Sequence, residues 1–177
     1  MNLKTRLVAN VLSRGGVVSL PTDTIQGLSC LPYADSLIRL VGLKQRSANK
    51  GLILISSDIN YFKEYVENVD LLNQIKPTDI PTTYIIKAHK NTPALLLGDH
   101  DTVAIRLTNN TLIKELCSMT GSALVSTSAN VSGYQVAQSV LKLRVYFKDQ
   151  LDYIISPVEA STKPSSIINL HTGERLR

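Results

Sequence analysis

Leu3, Leu7, Val8, Val11 and Leu12 recur at the spacing of one helix face, and Gly15-Gly16 follows as a stop. Val17 to Leu20 is a short apolar run closed by Pro21, which predicts a buried strand. Helical periodicity returns from Ser36 to Lys44 through Leu37, Ile38, Leu40, Val41 and Leu43. Leu52-Ile53-Leu54-Ile55 is unbroken, as in a strand covered on both faces. Asp58 caps a helix expected to reach Tyr65, and a second short helix covers Asp70 to Ile75. Thr83 to Ala88 and Thr102 to Leu107 read as strands across a loop rich in Asn, Thr, Pro and Gly. Asn110 caps a helix to Met119 that Gly121 ends. Ala123 to Val125 is a strand, Ser126 to Gly133 a polar loop, and Ser139 to Phe147 a helix. Strands at Tyr153 to Ile155 and Ser166 to Leu170, a turn over His171 to Glu174 and a closing edge strand complete the series.

Strands and helices alternate, but two strand pairs have no helix between them. That predicts an α/β fold with a mixed parallel and antiparallel sheet flanked by helices. With no repeat, low-complexity tract or linker, residues 1–177 read as one domain. A 44% hydrophobic content supports a core, while no apolar run approaches a membrane span and the N-terminus lacks a signal-peptide core. A cytoplasmic protein with no membrane partner is expected. Cys30 and Cys117 are too few for a disulfide framework and sit in apolar contexts, as core thiols do. The charge of +5 favours anionic partners, yet no dense basic block marks a nucleic-acid surface.

Candidate chemistry lies after the strands. Pro21-Thr22-Asp23-Thr24 and Ser126-Thr127-Ser128-Ala129-Asn130 are hydroxyl-rich, and ligands of open α/β sheets bind beyond strand ends. Such segments cradle phosphate or carboxylate oxygens, although turn chemistry alone also selects these residues. Lys44, Arg46 and Lys50 gather near a helix end, where the macrodipole explains cations and a phosphate clamp explains them equally. Arg106, inside an apolar strand, requires an anionic or hydrogen-bonding partner. No G-x-x-x-x-G-K-[ST], G-x-G-x-x-G or G-x-S-x-G motif is present, and His89, His100 and His171 are isolated.

Taken in order, Pro21-Thr22-Asp23-Thr24 with Gly27-Leu28, Lys44-x-Arg46 with Lys50-Gly51-Leu52, Val103-Ala104-Ile105-Arg106, Ser126-Thr127-Ser128-Ala129-Asn130-x-Ser132-Gly133 and Pro164-Ser165-Ser166-Ile167-Ile168 resemble the YrdC-like family over the whole chain, in its short TsaC type. The resemblance implies a nucleotidyltransferase that makes L-threonylcarbamoyladenylate and pyrophosphate from L-threonine, bicarbonate and ATP. Partner transferase proteins then pass the threonylcarbamoyl group to an adenosine of tRNA. It places Lys44 and Arg46 at the triphosphate as the catalytic cations and Thr22, Thr24, Arg106 and Ser165 around threonine. Lys50, Thr83, Ser126, Ser128 and Asn130 fall at the nucleotide. Magnesium (Mg2+) is expected to arrive with ATP, with no protein ligand assigned. The chain departs from the family at Ile80-Pro81-Thr82-Thr83, where a Gly usually precedes the Pro. Only Arg177 corresponds to an Arg that longer members place near the nucleotide. A second reading, an RNA-binding module without catalysis that would contact tRNA, rests on the positive charge and on the basic concave surface that the resemblance implies, and leaves the hydroxyl loops without a role.

Overall fold

The computed structural model describes residues 2–78, 80–157 and 165–176; Pro164 and Arg177 of the sequence reading lie outside them. Helix α1 (Leu3–Ser13) begins where the Asn2 side chain accepts from the Lys4 amide, and it buries Val8 and Leu12. Helix α2 is Ala34–Leu43, α3 the short Ala94–Leu97, α4 Thr111–Thr120 and α5 Val140–Phe147. As expected, Asn110 caps α4 by accepting from the Ile113 amide, and Gly121 follows it in the left-handed region at φ 66°. Ile59–Tyr65 and Val69–Gln74 form 3₁₀ turns rather than the expected α-helices. Among the described residues no helix is long and apolar enough to cross a membrane.

The strands are β1 (Val18–Pro21), β2 (Gln26–Cys30), β3 (Ile53–Ser56), β4 (Thr82–Lys87), β5 (Thr102–Leu107), β6 (Leu124–Ser128), β7 (Tyr153–Ile154) and β8 (Ser166–Asn169). They form a single sheet in the order β7-β1-β2-β6-β3-β5-β4-β8. The β1/β7, β3/β5 and β4/β8 pairs are parallel and the other four antiparallel, so the sheet is mixed, as the missing helices imply. Strand β2 is absent from the elements expected from periodicity, which place nothing between Pro21 and Ser36. It lies in the sheet between β1 and β6 with every residue buried, although among the described residues Gln26 Oε1 and Ser29 Oγ find no hydrogen-bond partner. Gln26 Nε2 donates to Ser19 Oγ and to the Ile155 carbonyl, both at 2.9 Å. Strand β6 likewise continues through Ser128, part of the segment read as loop.

Alternation along the strands explains where the core ends and a site begins. Leu54, Val103, Ile105 and Val125 face one side, where Leu37 and Leu40 of α2 and Leu143 and Phe147 of α5 complete a core. On the opposite side, Val18, Leu20, Ile55 and Leu124 pack beneath α1 and α4. Ile53 and Ser126 share that second face, each two residues along its strand from Ile55 and Leu124, yet they line a cavity instead. Two helices cover half of this face and leave the other half open.

Candidate active site

The cavity measures about 410 Å³, within the usual range of about 300–1,000 Å³ for ligand pockets. Its floor is apolar, with Ile53, Ile85, Ala104 and Ile167, and polar groups stand at its ends.

At one end Arg106 rises from β5 into a cage of hydroxyls. Its Nε donates to Thr83 Oγ1 at 3.1 Å, and one terminal nitrogen donates to Ser165 Oγ at 3.0 Å. The other donates to Thr24 Oγ1 at 3.2 Å and to Asp23 Oδ1 at 3.1 Å. Thr83 and Ser165 are themselves linked at 2.9 Å, and Thr22 and Thr24 at 3.1 Å. Pairing and hydrogen bonding are what permit a guanidinium only 6% exposed. The structure therefore brings Thr22, Thr24, Thr83, Arg106 and Ser165 together, and adds Asp23. The sequence offered Asp23 only as a motif letter; the demand of Arg106 for a counter-charge was the signal that could have found it.

At the other end Arg46 and Lys50 line the cavity. Arg46 Nη2 donates to the Gly51 carbonyl at 2.8 Å, and burial lowers its pKa. Among the described residues neither cation has a carboxylate partner. Their position depends on close backbone packing: a Cβ on Gly51 would stand 2.8 Å from the carbonyl oxygens of Leu96 and Leu97. Gly98, at φ +66° just after α3, would place one 2.3 Å from the Asn49 carbonyl oxygen. Helix α3, which supplies Leu96 and Leu97 to the wall, falls in a stretch read from sequence as loop.

Lys44, expected at the triphosphate, is only 2% exposed and is not among the residues that line the cavity, although its Nζ lies 3.4 Å from Oγ of the lining residue Ser128. Its Nζ donates to the Ser128 carbonyl, to the Asn130 carbonyl at 2.9 Å and to Asn130 Oδ1 at 3.1 Å. The Lys44 carbonyl accepts from the Ser132 amide at 2.9 Å, so the loop after β6 wraps this one residue. Burial, with Arg46 adding to it, pulls the Lys44 ammonium down to a pKa of about 7. Asn130 is equally engaged, accepting from Ser128 Oγ at 2.6 Å and donating to the Tyr134 carbonyl at 2.8 Å. Ser126 and Ser128 line the cavity, whereas Lys44 and Asn130 do not. Cys30 and Cys117 are buried away from it, and burial pushes the Cys30 thiol up to about 12.

A hydroxyl-caged guanidinium and two cations without a carboxylate partner among the described residues, lining one cavity with an apolar floor, define a pocket for a small molecule with anionic groups, carried on a mixed α/β sheet. The chain belongs to the Sua5/YciO/YrdC family, described as telomere recombination, whose pattern it matches over residues 10–177. The threonylcarbamoyl-AMP synthase of Stutzerimonas stutzeri is 36% identical over 98% of this chain and 96% of its own. That of Haemophilus influenzae is 35% identical, covering 96% of each chain. Among solved structures, YciO of E. coli superposes with a TM-score of 0.77 at 25% identity, over 95% of this chain and 85% of its own. Sua5 of P. abyssi complexed with L-threonine gives 0.84 at 22% identity, over 97% of this chain and 52% of its own, and supports the fold.

Proposed function

We propose that this chain is a threonylcarbamoyl-AMP synthase, condensing L-threonine, bicarbonate and ATP into L-threonylcarbamoyladenylate and pyrophosphate. The observation that carries this reading is the cavity itself, with the Arg106 guanidinium at one end and, at the other, two cations that have no carboxylate partner among the described residues. Arg106 anchors the threonine carboxylate, and the Thr22, Thr24 and Ser165 hydroxyls surround the rest of the amino acid. Arg46 and Lys50 meet the triphosphate, Ser126 and Ser128 offer hydroxyls to the nucleotide, and Lys44 with Asn130 fixes the strand end that presents them. Relatives that carry this name and share about 35% identity over nearly their full length support the assignment.

In the reaction the threonine amine adds to the carbon of bicarbonate, and loss of water leaves a carbamate. A carbamate oxygen attacks the α-phosphorus as the bond to the β-phosphate oxygen breaks, and pyrophosphate leaves with the electron pair. Two anions must meet, so neutralising and positioning them is the principal catalytic need, and no protein nucleophile enters. Among the described residues no three or more His, Cys, Asp or Glu stand together as a metal site, and Asp23 is held by Arg106. Magnesium arriving with ATP would supply charge neutralisation at the phosphates. The product would pass to a transferase that modifies tRNA. The test is pyrophosphate release from ATP that requires both threonine and bicarbonate. Release that ignores either substrate overturns the proposal.

A further inference from the structure

Of the two buried polar atoms in β2 that lack a partner among the described residues, one stands beside the cavity wall. Ser29 Oγ is fully buried, and a hydroxyl left in that state carries a desolvation cost that an alanine would not. Its neighbours across the sheet differ in kind. On the β1 side Ser29 is paired with Val18, which belongs to the apolar layer beneath α1. On the β6 side it is paired with Ser126, which lines the cavity. Residues directly opposite in an antiparallel pair share a face with Cβ atoms about 4.5–5.5 Å apart, a gap that two serine hydroxyls bridge when both turn inward. Ser126 Oγ stands 3.2 Å from the point that a Cβ on Gly27 would occupy, so the bare backbone of Gly27 gives that hydroxyl its room at the wall.

An ionised ligand oxygen can only accept, so a serine that meets it must donate its one proton. The serine oxygen keeps lone pairs of its own, and the hydroxyl directly opposite on β2 is placed to fill one. We propose that Ser29 is a positioning residue for Ser126: as the nucleotide binds, the Ser29 hydroxyl rotates and donates to Ser126 Oγ, while Ser126 donates to a phosphate oxygen. Two hydroxyls in series polarise one another, so the outer one becomes the stronger donor. The series is complete only with the ligand, which gives the unpaired Ser29 hydroxyl its use. This deepens the reading of Ser126 as a nucleotide contact and rests on it.

The test is a double-mutant cycle on the full chain: wild type, Ser29→Ala, Ser126→Ala and the two together. Calorimetry gives the dissociation constant of α,β-methylene ATP for each, and thermal melting gives the stability. Ser29→Ala is expected to weaken binding by about two- to tenfold, the worth of one neutral hydrogen bond, without lowering the melting temperature. In the Ser126→Ala background the same change is expected to have no effect, because nothing remains for Ser29 to orient. A residue that only fills the strand weakens binding equally in both backgrounds, and that result overturns the proposal. A Ser29→Ala chain that melts below the wild type also overturns it, since the hydroxyl would then be holding the fold. If Ser126→Ala leaves the affinity unchanged, the reading of Ser126 as a nucleotide contact fails and takes this proposal with it. If Ser126→Ala weakens binding while Ser29→Ala does not, only the role of Ser29 fails.

Discussion

Replacing Lys44 by methionine keeps an unbranched side chain one heavy atom shorter and removes the ammonium with its donors and its charge. In the folded chain the Ser128 and Asn130 carbonyls and Asn130 Oδ1 then lose the ammonium that binds them. The Ser128 carbonyl and Asn130 Oδ1 keep other donors, so the Asn130 carbonyl is the acceptor left unpaired at about 1–3 kcal/mol, and relief of the buried charge returns part of that. An ordinary cation at an exposed helix end is worth under about 1 kcal/mol, so the two roles are separable. The pH dependence adds a second handle. The Lys44 pKa falls from 10.5 to about 7 in the folded chain. Between those values the unfolded chain holds a proton that the folded chain has released, so this residue's contribution to stability rises with pH across that window. Urea unfolding of wild type and Lys44→Met at pH 6.5 and pH 9 should show the gap widening at the higher pH, with turnover falling in parallel. A variant with wild-type stability and no turnover would refute the reasoning, because Lys44 would then act on the ligand rather than on the loop.

Arg46→Ala should cut turnover by about 10- to 150-fold, the value of a charge-assisted phosphate contact, with the melting temperature little changed. Gly98→Ala should cost about 3 kcal/mol or more by thermal melting, since a Cβ 2.3 Å from the Asn49 carbonyl oxygen forces the backbone apart at a positive φ. Asp152 is opposed by partial burial, but Arg39 at 2.5 Å and the Val17 amide at 2.7 Å lower its pKa. Asp152→Asn should cost under about 1 kcal/mol at neutral pH, discounted for exposure, and acid titration should close that gap as pH falls below the usual carboxylate value near 4. Pyrophosphate release should favour threonine over serine by about 10- to 200-fold, one methyl's worth, and valine should be rejected harder because a hydroxyl partner would be left unpaired.

Much of this was legible because periodicity reports burial. The faces of α1, α2 and α4 and the apolar runs of β3 and β5 follow directly from spacing. Strand β2 was hidden because Gln26, Gly27 and Ser29 carry no apolar alternation; its place depends on pairing with β1 and β6. The hydroxyls around Arg106 were visible as residue types, and their partnership was not, since the contacts lie 23 to 83 positions apart. Lys44 looked like a surface cation because the loop that buries it arrives 84 residues later.

The Arg106 cage also has a consequence for how the molecule is made. Its groups come from the β1–β2 bend, β4, β5 and the start of β8, with Ser165 lying 82 residues from Thr83 and 59 from Arg106. No short fragment contains it, and a ribosome must have delivered Ser165 before the cage can close. Contacts of such long sequence separation demand loop closure first and are expected to form slowly. A ligand bound there ties early and late parts of the chain together, stabilises only the complete fold, and raises its melting temperature with concentration.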